Sequence, residues 1–221
     1  MTTIAIIGAG PGLGRASARR FGREGFAVAL LSRTQENVDE LAAELAEGGV
    51  TARGYAVNVR EPEALREALD AAASDLGPIE VLQYSPVPAH EFMKPVLETT
   101  AEDLVGPVEQ SVYGPVTAVQ QVLPGMRELG RGTILLINGG SAVRPNGAVA
   151  GTSVAFAGES AYGQMLHDAL APESIYVAQL IIPRGIGGGD LDHEPGALAE
   201  RIWSLHRDRG AFRTFVGEGA T

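Results

Sequence analysis

Short apolar runs alternate along the chain with longer segments whose apolar residues recur at helical spacing. The first run covers residues 3–8 (TIAIIG), is rich in β-branched residues and ends in glycine, as is typical of a buried parallel strand. Similar runs predict six further strands, at residues 27–32, 52–57, 79–84, 133–137, 175–182 and 212–216.

Helical spacing predicts helices at residues 13–24, 38–47, 62–76, 101–129, 153–170 and 197–206. The region 101–129 contains Gly106-Pro107 and Gly114-Pro115, and because each proline removes a backbone donor, we expect kinks or a broken helix there. Strands that alternate with crossover helices pair in parallel and are covered on both faces. The sequence therefore predicts an α/β protein, with a doubly wound parallel sheet in a three-layer αβα sandwich, formed as a single domain by residues 1–221.

Charge and cysteine content exclude several classes of function. The formal net charge of -10 opposes binding to nucleic acid or to anionic membranes. The chain contains no cysteine, which excludes disulfides and thiolate chemistry, and no apolar run is long enough to span a bilayer. We therefore expect a cytoplasmic protein that binds a small-molecule substrate, and neither nucleic acid nor membrane.

The turn after the first predicted strand reads GAGPGLG from Gly8 to Gly14. Glycines between a strand and a helix allow a tight turn and let the backbone approach a pyrophosphate at the positive end of the helix dipole. Their Gly-x-x-x-Gly-x-Gly spacing resembles the glycine motif of the short-chain dehydrogenase/reductase family, and the resemblance extends from residue 3 to residue 217. It implies a Rossmann-type fold and places Gly8, Gly12, Leu13 and Gly14 at the diphosphate of a dinucleotide cofactor.

Cofactor choice in this family is made at the end of the second strand, where an acidic residue favours NAD over NADP. This chain has Ser32 and Arg33 there instead. A guanidinium beside a hydroxyl binds a phosphate through charge-assisted hydrogen bonds, so we expect the cofactor to be NADP(H). The alternative for Arg33 is a solvated side chain at a strand end.

The resemblance implies four more cofactor-binding residues. Asn58 and Val59 stand where the family has Asp-Val near the adenine. Ser85 lies in the segment YSPV, where the family has Asn-Asn-Ala-Gly, and Pro183 stands where the family has Pro-Gly after the sixth strand.

The catalytic pair of the family, a tyrosine followed four residues later by a lysine, is absent from the sequence. The only lysine, Lys94, has His90 four residues before it. By the resemblance, the tyrosine and lysine positions fall at Ser153 and Ala157, and the catalytic serine position falls at Gly139. The usual proton route needs a tyrosine whose pKa is lowered by a nearby ammonium, so it cannot operate here.

Ser141, two residues after Gly139 on a glycine-rich loop, is our catalytic candidate, because its hydroxyl can donate a hydrogen bond to a substrate carbonyl. Ser111 corresponds to the asparagine of the family's fourth helix. His90 and Glu91 border the expected pocket and offer an alternative general acid. Tyr162 falls on the opposite helix face from the tyrosine position, which favours a packing role.

A glycine-rich segment, residues 185–196, contains a small acidic cluster with one histidine. We interpret this cluster as a solvated loop and predict no metal site.

Three functions are compatible with these features. The first is an NADP(H)-dependent oxidoreductase with a non-standard proton donor, acting on a small carbonyl, alcohol or imine. The others are a non-redox enzyme that keeps NADP(H) as a structural element, and a catalytically silent protein that binds it as a sensor or scaffold. Small residues along the helix at 153–170, among them Ala157 and Ala161, predict close packing against a second copy, as a homodimer or homotetramer.

Overall fold

Seven parallel strands form one sheet in the computed structural model, which describes residues 1–217. Each strand lies at one of the seven apolar runs in the sequence, which confirms that prediction. The strands are β1 (Thr3–Ile7), β2 (Ala27–Ser32), β3 (Ala52–Ala56), β4 (Ile79–Tyr84), β5 (Gly132–Gly139), β6 (Ile175–Ile182) and β7 (Arg213–Phe215).

Seven α-helices connect or follow these strands within the described residues. They are α1 (Leu13–Gly22), α2 (Gln35–Glu47), α3 (Pro62–Leu76), α4 (Ala101–Val108), α5 (Gly114–Leu129), α6 (Ala150–Leu170) and α7 (Pro195–Asp208). None of the helices within residues 1–217 is both long enough and apolar enough to cross a membrane.

The predicted helix over residues 101–129 is interrupted just before its second glycine–proline pair, Gly114-Pro115. A π-turn, Glu109–Tyr113, separates α4 from α5, whereas Pro107 lies inside α4. Helix α6 begins at Ala150, three residues before the predicted start, and its first amide donates to the carbonyl of Lys94 at 3.0 Å.

The strand order is β3-β2-β1-β4-β5-β6-β7, so the direction of winding reverses between β1 and β4. Successive residues of β1 enter opposite cores. Ile4 and Ile6 pack with residues of α1, α2 and α7, while Ala5 and Ile7 pack with residues of α3, α5 and α6. This arrangement confirms the doubly wound, three-layer prediction; the last four residues of the predicted domain, 218–221, lie outside the described part of the chain.

Candidate functional site

A cleft of about 290 Å³ opens at the carboxyl ends of β1 to β4, where the strand order reverses. Ligands of open α/β sheets bind at such switch points because loops from the two halves of the sheet diverge there. The lining includes Gly8 after β1, Ser32 and Arg33 at the end of β2, and Asn58 and Val59 after β3. The structure therefore brings five of the sequence-predicted cofactor residues to one space.

Glycines give the turn between β1 and α1 its tight path. Gly8 has a φ of +86°, and a β-carbon there would lie 2.6 Å from backbone atoms of Ser85. A β-carbon on Gly14 would lie 2.9 Å from a backbone atom of the turn itself. Helix α1 begins at Leu13, after Gly12, with no side-chain cap from Gly12 and no acidic residue in its first turn. The positive end of the helix dipole is therefore available to an anion.

Four polar residues line the cleft beyond the end of β2. Arg33 is exposed and Ser32 is partly buried. Thr34 and Asn37, which sequence reasoning missed, also line the cleft. Guanidinium, hydroxyl and amide groups all donate hydrogen bonds to phosphate oxygens, so this group can bind an anion.

Asn58 lines the cleft, but its side chain bonds within its own loop. Its Nδ2 donates to Glu61 Oε1 at 3.1 Å, and its Oδ1 accepts from the backbone N–H of Arg60 at 3.2 Å. An asparagine in a turn before a helix readily bonds to nearby backbone groups, and the role of Asn58 near the adenine stays a prediction. Arg60 also lines the cleft, and its Nε donates to Glu109 at 2.8 Å.

Ser85, Pro183 and Ser141 lie at the same sheet edge but outside the lining of this cleft. Ser85 Oγ donates to the carbonyl of Ile7 at 3.1 Å, so its hydroxyl joins the ends of β4 and β1. Pro183 follows β6 and lies against Gly140. Ser141 is partly exposed in a short turn, Gly140–Ala142, directly after β5.

An aromatic ring from α6 lies against the end of β5. A carbon of the Phe156 ring is 3.7 Å from the position that a β-carbon on Gly139 would take. Ser153, the expected tyrosine position, instead donates its hydroxyl to the carbonyl of Asn146 at 3.1 Å. Phe156, three residues after Ser153, therefore lies beside Gly139, the serine position that the resemblance implies, and Ser160 follows four residues later on the same helix. This differs from the register inferred by resemblance because the loop between β5 and α6 decides which residue of the helix meets the strand, and sequence alone does not fix the path of that loop.

Five polar side chains join α6 to the last three strands. Glu159 is 2% exposed, and its carboxyl accepts from Asn138 Nδ2 at 2.9 Å. Gln179 donates to Asn138 Oδ1 at 2.8 Å, and Arg213 donates to Gln179 Oε1 at 2.8 Å and to Ser160 Oγ at 2.7 Å. Burial raises the pKa of Glu159 to about 8, although the hydrogen bond from Asn138 acts in the opposite direction. Glu159 therefore holds its proton at neutral pH.

Gln110 is a cleft residue that sequence reasoning missed. It is buried, lines the cleft, and its Nε2 donates to the carbonyl of Val87 at 3.2 Å. Ser111, the expected equivalent of the family asparagine, is its buried neighbour in the π-turn. Glu91 and His90 are both exposed, but Glu91 lines the cleft and His90 does not. The glycine–proline pairs at 106–107 and 114–115 were the sequence signal for a special backbone in this region.

The acidic loop after β6 pairs its carboxylates with arginines. Asp190 lies 3.2 Å from Arg184, and Asp192 lies 3.3 Å from Arg201. His193 is buried, with Nδ1 3.0 Å from Asp190 but without an aligned hydrogen bond. Within residues 1–217, no group of three or more histidine and acidic side chains converges to hold a metal ion.

Comparison with known proteins identifies relatives of this fold and sequence. A human protein, dehydrogenase/reductase SDR family member 4, is 29% identical over 167 residues, which are 75% of this chain and 59% of the relative. A metagenomic short-chain oxidoreductase solved in complex with NADP superimposes with a TM-score of 0.85 at 19% identity, over 97% of this chain and 96% of that one. A short chain oxidoreductase from Pseudomonas aeruginosa PAO1, described as containing an atypical catalytic center, gives 0.88 at 18% identity, over 100% and 97%.

Because their sequence identities to this chain are only 19% and 18%, the two solved structures show a shared fold alone. The sequence model of the short chain dehydrogenase family matches residues 2–188, which include β1 to β6 and every residue that lines the cleft. By this match the chain belongs to the short-chain dehydrogenase family of oxidoreductases.

Proposed function

We propose that this chain is an NADP(H)-dependent oxidoreductase with a non-standard active site, acting on a small carbonyl, alcohol or imine. The observation that carries the proposal is the cleft at the switch point, in which the glycine turn after β1 and Arg33 after β2 face the same space. When bound, NADP(H) supplies the hydride chemistry. The protein must then hold the cofactor, orient the substrate and polarise the reacting bond.

Two parts of this sheet edge suit different parts of the cofactor. The turn from Gly8 and the uncapped start of α1 suit the diphosphate, because backbone N–H groups and the helix dipole both favour an anion. Arg33 suits a ribose 2′-phosphate, with Ser32 and Asn37 as additional donors. The NADP complex of the metagenomic neighbour supports this choice by analogy of fold.

Ser141 is our candidate for the group that polarises the substrate. Its partly exposed hydroxyl follows β5 at the edge of the sheet where ligands of this fold class bind. Phe156, which lies beside Gly139, has no exchangeable proton, so the proton must come from Ser141, from solvent or from the substrate itself. An iminium substrate is already protonated and needs no donor for hydride addition. The atypical catalytic center described for the Pseudomonas neighbour is an analogy for such a departure.

A catalytically silent or non-redox protein that binds NADP(H) as a structural or sensing ligand is the second candidate. The placement of Phe156 and Ser160 favours it, because neither side chain can supply the phenol or the ammonium of the usual pair. Under this alternative, NADP(H) binds tightly but is not turned over.

Assembly through α6 forms part of the proposal. Val154, Ala157, Ala161 and Met165 are exposed and recur at helical spacing along one face of this helix. A small, apolar face of this kind packs closely against a copy of itself, which supports a homodimer or homotetramer.

A fluorescence titration of wild type, Arg33→Ala and a control with NADPH and NADH tests the proposal. We expect wild type to bind NADPH at least tenfold more tightly than NADH, and Arg33→Ala to lose most of this preference. Arg23→Ala, which removes an exposed arginine outside the cleft, should leave the ratio unchanged. An unchanged ratio in Arg33→Ala would exclude the phosphate contact.

Turnover separates the two candidate functions. If NADPH binds, its oxidation in the presence of a carbonyl or imine from a test panel supports the oxidoreductase. A rate of oxidation at least tenfold lower in Ser141→Ala supports Ser141 as the donor. Tight binding without turnover on any member of the panel supports the silent alternative.

A further inference from the structure

The π-turn between α4 and α5 leaves one backbone carbonyl without a helical partner. In a regular helix, the carbonyl of Gln110 would accept from the amide of Gly114, but that amide donates to Glu109 instead. The next residue along, Pro115, has no N–H to donate. Because Gln110 is buried, an unpaired carbonyl at this position would be costly.

The hydroxyl of Tyr84, the last residue of β4, fills this role. It donates to the carbonyl of Gln110, 26 residues further along the chain. Tyr84 is 1% exposed, and the hydroxyl occupies space that a side chain on Gly114 would take, because a β-carbon there would overlap it. Tyr84, Gly114 and the carbonyl of Gln110 therefore form a matched junction, because the carbonyl needs the hydroxyl as its donor and the hydroxyl fits only where residue 114 has no side chain.

The junction reaches the cleft through the side chain of Gln110. This side chain lines the cleft and donates to the carbonyl of Val87 in the loop after β4. Pro86 and Val87 of the same loop also line the cleft. A hydrogen-bonded path thus runs from Tyr84 through Gln110 to the cleft wall.

We propose that Tyr84 is a positioning residue of the ligand site, which fixes the π-turn and thereby places Gln110 and the loop at Val87 against the bound ligand. Tyr84 does not line the cleft and acts through Gln110. The effect on binding rests on the proposed function, whereas the junction itself does not.

The phenol is suited to this donor role and not to proton transfer. Burial raises the pKa of Tyr84 well above its ordinary value, and the nearby Glu159 acts in the same direction. The hydroxyl therefore keeps its proton and remains a donor to the carbonyl.

A double-mutant cycle between Tyr84→Phe and Gly114→Ala tests the junction without any ligand. Tyr84→Phe removes the donor but keeps the ring, and should lower the Tm by about 3–8 °C. Gly114→Ala should lower the Tm more in the wild-type background than in the Tyr84→Phe background. In Tyr84→Phe the overlapping hydroxyl is absent, and the nearest remaining atoms are 3.2 Å and 3.3 Å from the new β-carbon. Strictly additive Tm changes would overturn the junction.

NADPH affinity measured on the same variants tests the positioning role. We expect Tyr84→Phe to weaken binding by at least fivefold, and Tyr113→Phe, which alters an exposed tyrosine of the same π-turn, to leave it unchanged. If wild type binds NADPH and Tyr84→Phe binds equally well, the junction is structural only and the positioning role is wrong. If wild type binds no NADPH, the proposed function is wrong, and the positioning role is wrong with it. The double-mutant cycle on Tm still tests the junction in that case.

Discussion

The buried carboxyl of Glu159 should make the stability of this protein fall as the pH rises. Its pKa is about 8 in the folded protein, against an ordinary value of 4.5, mainly because burial disfavours the charged form. Between these two values the folded state binds a proton that the unfolded state releases. The free energy of unfolding therefore decreases with increasing pH across this interval, and the full contribution of the protonated carboxyl is present only below about pH 4.5.

The informative perturbation is Glu159→Gln, which keeps the size of the side chain and an oxygen for the Asn138 hydrogen bond but removes the titration. The interval of about 3.5 pH units, at about 1.4 kcal/mol per unit, corresponds to about 5 kcal/mol. This is an upper limit, because relaxation around a buried charge reduces the penalty. We expect the stability of Glu159→Gln relative to wild type to increase by about 2–5 kcal/mol between pH 4.5 and pH 8.

Urea unfolding of both proteins at several pH values between 4.5 and 8.5 measures this difference directly. Other titrating groups cancel in the comparison, because they are common to both chains. Glu128→Gln, which removes an exposed carboxyl from α5, serves as the control, and its free energy of unfolding should change with pH as that of wild type does. If the free energy of unfolding of Glu159→Gln also changes with pH as that of wild type does, Glu159 does not hold a proton in the folded state, and the reasoning is wrong.

Three further outcomes follow from the structure. Burial lowers the pKa of His206 below its usual 6.5, so the stability that its neutral side chain contributes is present above pH 6.5 and is lost as the pH falls through the folded pKa. The difference in Tm between wild type and His206→Gln should therefore narrow from pH 7.5 to pH 5. A constant difference would contradict this. Gly54→Ala should lower the free energy of unfolding in urea by about 1–3 kcal/mol, because a β-carbon there would lie 2.6 Å from Val38. Gly125→Ala, on α5, should not lower it, because a β-carbon there would meet open space. Equal effects of the two substitutions would contradict the packing argument. Ala161→Glu on the exposed face of α6 should give a monomer by light scattering, and a wild type that is already monomeric at micromolar concentration would refute the assembly.

The fold could be predicted from sequence because its signals are local. The apolar run at β1 has the length and composition of a buried strand, and its two-residue period sends Ile4 and Ile6 to one core and Ala5 and Ile7 to the other. The crossover lengths then leave parallel pairing as the consistent arrangement.

The tight turn after β1 could also be located from sequence, because its geometry depends on glycines close together in the chain. The side chains around the end of β5 could not. The position of Phe156 beside Gly139 depends on the path of the loop between β5 and α6, and a three-residue shift turns a different side chain toward the strand end. Gln110 was missed because its place depends on the π-turn, a non-local arrangement completed by Tyr84.

Glu159 carried a sequence signal that was overlooked. It lies three residues after Phe156 and four after Ala155, on the same face of α6, and both of those residues are buried. An acidic residue on the apolar face of a helix predicts a buried carboxyl with a raised pKa. Its partner Asn138 on β5 could not be identified without the packing of α6 on the sheet.

Isothermal calorimetry of the wild-type chain with NADPH, with NADH as the comparison, tests the central claim most directly. The account predicts saturable binding of NADPH with one site per chain and at least tenfold weaker binding of NADH, because Arg33 at the end of β2 meets a 2′-phosphate only in the former. The absence of heat with either nucleotide, at concentrations up to the millimolar range, would contradict the assignment of the cleft.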